Sequence, residues 1–306
     1  MTSTLLVCLA QISVFILLGF FLRKKGKFSD QTQSDLTGIL LNIIAPCVIL
    51  VSSRQQFDRS SGNSVFLCMG AGLVYYTLWL AVCLLLFRII PTSDDRRGVS
   101  TTSCVFGNTG FIGYPLVIAL LGQDRMLFAS SFEIWFNLFI FTIGVQLISG
   151  KKGEFSFKKL ITPCTVSVVI SLIIYFSPYR LPDVVYDTMS MISAMMVPVS
   201  MIIIGSGLPG MNFKSMFSDW HAYVVVVMRQ ILIPVTTVLI LKLIPAFSDQ
   251  VIAVIAIISA VPTGSYNVIL SRRYSGKEQV DYANSILLLS LLTSFITLPL
   301  IISVLL

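Results

Sequence analysis

Apolar residues in this chain run in long blocks, and polar residues collect in the short connections between them. Ten blocks can be read, at residues 4–22, 36–51, 65–90, 99–121, 128–149, 160–176, 186–207, 221–244, 251–270 and 282–306. Each approaches the roughly 20 residues that an apolar helix needs to cross about 30 Å of hydrocarbon. The pattern therefore predicts ten membrane-spanning helices, and the connections between them are too short to hold a soluble catalytic domain.

Two blocks are interrupted where a continuous helix is expected. The fourth contains Gly107-Asn108-Thr109-Gly110-Phe111-Ile112-Gly113-Tyr114-Pro115, with three glycines, a proline and polar side chains; the ninth contains Val261-Pro262-Thr263-Gly264-Ser265-Tyr266-Asn267. Hydrocarbon offers unwound backbone no hydrogen-bond partner, so such breaks persist only inside protein or beside a wet cavity. The two stretches are expected to cross near the midplane and form a solute site. Helix N-termini converging there favour an anionic group such as a carboxylate. Asn108, Thr109, Gly110, Pro262, Thr263, Gly264 and Asn267 are the candidate binding residues, and Gly107, Gly113 and Pro115 are expected to break the helix.

Ten spans divide into five and five, giving halves at 1–155 and 156–306. An odd number of crossings per half forces two similar halves into opposite orientations. An offset of 154 places Thr109-Gly110 on Thr263-Gly264, Gly122 on Gly276, and Phe128-Ala129-Ser130-Ser131 on Tyr282-Ala283-Asn284-Ser285; an offset of 152 places Pro46 on Pro198. The expected fold is thus an all-α membrane protein of two inverted five-helix repeats, with helices 4 and 9 broken and crossing.

Composition agrees with the pattern: 56% of the 306 residues are hydrophobic and 11% charged, with a mean hydropathy of +0.90, which excludes an ordinary soluble domain. The formal charge of +7 raises a nucleic-acid partner, but its distribution decides against one. With the N-terminus outside, the connections facing the cytoplasm hold fifteen basic residues: Arg23, Lys24, Lys25, Lys27, Arg88, Arg96, Arg97, Lys151, Lys152, Lys158, Lys159, Lys214, Arg272, Arg273 and Lys277. The outward ones hold five: Arg54, Arg59, Arg125, Arg180 and Lys242. This asymmetry places both termini on the non-cytoplasmic side of a cell membrane. The segment 151–159 reads as a linker between the halves whose lysines meet lipid head groups. The first block has no basic run before it and no cleavage pattern after it, so it is expected to be a retained helix. All six cysteines (Cys8, Cys47, Cys68, Cys83, Cys104, Cys164) fall in apolar blocks without paired metal spacing, so no metal or cofactor is expected.

Two charges lie inside apolar blocks, Glu133 in the fifth and Arg229 in the eighth. A charge in mid-membrane costs roughly 2.5–3.5 kcal/mol, so each needs a partner. They form either a structural ion pair, or a counter-charge for substrate (Arg229) with a proton-coupling carboxyl (Glu133). Asn42 and Asn137 either line the cavity or bond between helices. Pro46, Pro198 and Pro234 are read as helix kinks. Tyr75 and Tyr76 read as core or interfacial residues, and His221 as an interface residue. One histidine and one mid-span glutamate offer no nucleophile with its base, so an enzyme is not expected.

The run from Gly107 to Leu116 resembles the Gly-Asn-Thr-Gly-Phe-x-Gly-x-Pro-Leu signature of the auxin efflux carrier family, which includes bacterial malate and malonate permeases and plant PIN proteins. Pro46 and Pro262-Thr263 also fit its pattern. The resemblance implies a bile-acid-transporter-like fold with helices 1, 2, 6 and 7 as a scaffold, often dimeric, and helices 3–5 and 8–10 as a transport domain moving like an elevator. The connection between spans 5 and 6 is short, unlike the long loop of plant PINs, which directs the reading to the bacterial organic-acid branch. The expected function is a secondary transporter of a small organic anion, a mono- or dicarboxylate such as malate or malonate, with a proton or sodium ion as candidate coupling ion. The alternatives are a sodium-coupled symporter of bile-acid type and a channel or sensor on the same fold.

Overall fold

The computed structural model describes residues 2–54, 59–150, 161–178, 180–210 and 219–305. Lys151, Lys152, Lys158, Lys159 and Lys214, and the side chains of Cys8 and Arg59, lie outside the described residues. In chain order the helices are α1 (Thr2–Lys24), α2 (Asp30–Ile39), α3 (Ala45–Ser52), α4 (Arg59–Ile89), α5 (Asp94–Val105), α6 (Tyr114–Leu121), α7 (Met126–Phe139) and α8 (Val145–Ser149). They continue as α9 (Pro163–Phe176), α10 (Asp183–Ser193), α11 (Met196–Gly207), α12 (Trp220–Val227), α13 (Ile233–Lys242), α14 (Asp249–Ala260), α15 (Tyr266–Tyr274) and α16 (Lys277–Leu305). Among the described residues the extended backbone is confined to one isolated bridge and short connections, with no strand.

Wide π-helical turns join several of these pieces, at Leu40–Ile44, Thr109–Gly113, Ile140–Gly144 and Met228–Leu232. Three of them end two residues before a proline: Pro46, Pro115 and Pro234. A proline lacks the N–H of the regular ladder and its ring crowds the carbonyl four residues back; a wider turn sidesteps both. Pro198 stands in the first turn of α11, just after the chain closes α10 through the Met195 N–H to the Ile192 carbonyl. Local caps set other starts: Ser29, Thr162, Asp219 and Ser248 each accept a backbone N–H of the first turn that follows.

Six stretches of the described residues are long and apolar enough to cross a membrane: Asp30–Ser52, Asn63–Ile89, Gln123–Ser149, Asp183–Gly207, Trp220–Lys242 and Lys277–Val304. Thr109–Leu121, Pro163–Phe176 and Asp249–Ala260 are apolar but shorter. Many large apolar side chains point outward, among them Leu17, Phe21, Ile173 and Ile296, while serines and threonines such as Ser130, Ser171 and Ser200 are buried against helix carbonyls. That inversion of the soluble pattern suits a lipid surround. It is a multi-pass membrane protein.

Contacts divide the chain into two compact units, and neither is a single half of the sequence. The first comprises Met1–Phe66, Gly110–Ser131 and Ile161–Met211. Within it α1 lies along α11 and α3 packs on α9 and α10. Backbone meets backbone there: a Cβ at Gly19 would overlap the Ile202 carbonyl, and one at Gly205 the Ile16 carbonyl. Small residues at a helix interface allow that approach where no water drives association. The second unit comprises Leu67–Thr109, Phe132–Leu160 and Asn212–Leu306. Near one of its ends Arg96 at the start of α5 ties Asp219 (2.6 Å) and Glu278 (2.8 Å), fixing the foot of α5 to those of α12 and α16.

Candidate solute site at the helix crossover

Both expected breaks are present, and both lie in the second unit. The first stops at Val105, after which Phe106 is extended; the second stops at Ala260, with Val261 extended. The two unwound strands run antiparallel through a bridge between Gly107 and Thr263. Asn108 N–H donates to the Pro262 carbonyl (2.7 Å) and Gly264 N–H to the Phe106 carbonyl (2.9 Å). Each break thus satisfies backbone groups of the other, which is how irregular backbone survives in an apolar surround. The Thr263 hydroxyl adds a bond to the Ser103 carbonyl (3.0 Å), and the Asn267 amide donates to the carbonyls of Gly264 (3.2 Å) and Phe106 (3.5 Å).

Glycine is dictated here by close approach. A Cβ on Gly264 would come 2.8 Å from the Gly107 oxygen, and a Cβ on Gly107 would overlap Nη2 of Arg229. Arg229 sits in the π-helical turn between α12 and α13 and is 1% exposed. Its Nε donates to the Val261 carbonyl (2.9 Å) and its Nη1 to the carbonyls of Cys104 (3.3 Å) and Val105 (3.0 Å) and to Tyr75 Oη (2.9 Å). Nη2 reaches the Ile258 carbonyl (3.4 Å). The guanidinium therefore closes the C-terminal ends of both first half-helices, α5 and α14. Each such end carries about half a negative charge from the aligned peptide dipoles, so two of them match one arginine.

Glu133 on α7 is 5% exposed and accepts the Tyr76 hydroxyl at 2.6 Å. Among the described residues it makes no ion pair with Arg229, whose five hydrogen bonds go to carbonyls and Tyr75. Of the two readings for these charges, the direct pair is not formed; Arg229 serves the backbone and Glu133 faces the Tyr76 hydroxyl. Around them stand Tyr76 stacked on Phe106 (5.7 Å) and on Phe139 (5.9 Å), and Phe136 edge-on to Phe106 (5.4 Å) and packed against Tyr266 (5.8 Å).

Asn108 is 9% exposed, and its side-chain amide has no hydrogen-bond partner among the described residues. It stands immediately before the helical turn that begins at Thr109. Asn267 Oδ1 is fully buried and likewise without a partner, as are the hydroxyls of Thr101, Ser103 and Ser271. Asn137, one turn beyond Glu133 on α7, is half-buried and partnered. The remaining candidates belong to the first unit. Gly110 and Gly113 lie within the π-helical turn and Pro115 in α6, so the true break is confined to Phe106–Asn108. Asn42 is exposed and bonds the Gly38 carbonyl of its own helix (2.9 Å). Pro46 and Pro198 occupy the first turns of α3 and α11.

Tyr75 and Tyr76, read from the sequence as core or interfacial residues, are buried and in addition hold the two buried charges. A signal for them existed: 154 residues separate Tyr75 from Arg229, the same offset that relates the two breaks. Asn108 and Pro262, hydrogen-bonded to each other, are also 154 apart.

The model of the family described as "Membrane transport protein" matches this chain twice, over residues 4–159 and 153–302. The chain belongs to that family, the auxin efflux carriers. It is similar to an uncharacterized transporter of Methanocaldococcus jannaschii, 22% identical over 278 residues, 86% of this chain and 87% of the relative. It is also similar to an uncharacterized transporter of Methanothermobacter thermautotrophicus, 24% identical over 294 residues and 94% of each chain. This family member is therefore a membrane transporter.

Proposed function

We propose that this chain is a secondary transporter of a small organic anion, a mono- or dicarboxylate, which binds at the crossover. The observation that carries the reading is electrostatic. Arg229 offsets the negative ends of α5 and α14, whereas Asn108, whose side-chain amide has no partner among the described residues, stands immediately before the helical turn that begins at Thr109. Helix starts carry about half a positive charge each and spare N–H donors, so a carboxylate is the complementary ligand. The Asn108 amide supplies a side-chain donor, with Thr109, Thr263, Gly264 and Asn267 around it.

Contacts between residues one repeat apart, Tyr75 with Arg229 and Asn108 with Pro262, support two inverted repeats. Equivalent positions touch only where a pseudo-twofold axis passes between them. Transport then proceeds by alternating access, of elevator type, with both termini outside the cytoplasm. Counterflow in proteoliposomes tests the reading: vesicles loaded with unlabelled malate, malonate, succinate or lactate should transiently accumulate the labelled acid. Absence of counterflow for all four, from folded protein, would refute it.

A further inference from the structure

We infer that Glu133 is a proton-binding site whose protonation permits the anion to occupy the crossover, making the transporter a proton–anion symporter. The inference rests on the anion-carrier reading and adds the coupled ion. Glu133 is buried and accepts the Tyr76 hydroxyl (2.6 Å), and the Tyr76 ring stacks on Phe106, two residues before Asn108, so the carboxyl stands beside the proposed anion site. The titratable and charged groups that act on it are Tyr76 and Tyr75 of α4 and Arg229 between α12 and α13. Tyr76 is a neutral hydroxyl donor to it; Tyr75 accepts from Arg229. The only full positive charge among them is Arg229, and its five hydrogen bonds go to four carbonyls and Tyr75.

An ionised Glu133 would therefore place a second negative charge beside an incoming carboxylate, in a medium where water does not screen it. A neutral Glu133 keeps the hydrogen bond from Tyr76 through its carbonyl oxygen and removes that repulsion. In the cycle, Glu133–COO⁻ takes one proton from the side of higher proton activity and the carboxylate binds. After the site reopens, the anion leaves and Glu133–COOH returns its proton to water. One proton and one anion cross together, and no bond other than O–H is made or broken. The position equivalent to Glu133 one repeat later is Leu287, so the chain carries one such acid and not a symmetric pair.

The test uses the full chain in proteoliposomes with labelled malonate, membrane potential clamped at zero and protein-free vesicles as baseline. Wild type should show counterflow at equal pH, and a pH gradient of one unit should drive about ten-fold accumulation without sodium. In Glu133→Gln the driven accumulation ratio should fall to about one while slower counterflow persists; Asp249→Asn, at the exposed start of α14, is the control expected to accumulate like wild type. As a measurement that needs no variant, a pH-indicator dye should report about one proton taken up per malonate bound by wild type in detergent. Wild-type-like accumulation by Glu133→Gln, accumulation that requires a sodium gradient, or no proton uptake on binding would each overturn the inference while leaving the carrier reading intact. No counterflow by wild type with any of the four acids would instead remove the carrier reading and this inference with it.

Discussion

Replacing Arg229 with methionine keeps much of the apolar volume and removes all five hydrogen bonds of the guanidinium. Four of them close carbonyls at the ends of α5 and α14, and one goes to Tyr75. Charge-assisted bonds contribute roughly 1.5–3 kcal/mol each, yet their sum overstates the loss, because burying the guanidinium itself costs several kcal/mol. Breaking such a buried network typically costs about 3–5 kcal/mol. At 2–4 °C per kcal/mol for a mid-sized domain, the apparent melting temperature should fall by roughly 10 °C. The assay is the fraction remaining monodisperse by size exclusion after heating in detergent. Arg229→Lys keeps the charge but not the planar fork and should recover less than half of the loss. Because Glu133 and Arg229 are not hydrogen-bonded to each other, adding Glu133→Gln to Arg229→Met should not recover the lost stability. A melting point for Arg229→Met within 1 °C of wild type, measured to about that precision, would refute the capping role; recovery in the double variant would restore direct pairing.

Three further outcomes can be checked separately. Gly107→Ala forces its methyl into Arg229 Nη2, so it should destabilise by about the same 3–5 kcal/mol in the same heating assay. Asn108→Ala removes a side chain with no hydrogen-bond partner among the described residues, so melting should be unchanged while malonate binding, followed by scintillation proximity, weakens about ten-fold or more; wild-type affinity in the folded variant would take Asn108 out of the site. Asp219→Asn weakens the partly buried link to Arg96 at the foot of α5 and should cost about 1 kcal/mol, less in high salt, read from melting at two ionic strengths.

Sequence alone determined the membrane class, the apolar blocks and the two places where helix gives way, because hydrocarbon tolerates so few arrangements of backbone. The Asn-Thr-Gly and Pro-Thr-Gly runs announced a crossing, and their common offset announced a repeat. Length of the break was not legible: Gly110, Gly113 and Pro115 look like breakers, but a wide helical turn absorbs them and only Phe106–Asn108 is extended. Tertiary structure alone decided what the two buried charges touch. Hydropathy says that Glu133 and Arg229 need partners, but a guanidinium is satisfied equally by a carboxylate or by carbonyls. Which it takes depends on backbone brought together from helices more than 100 residues apart in the chain, as with Arg229 and Cys104. The glycines follow the same logic: their number is in the sequence, while the need for Gly107 exists only because Arg229 lies against it.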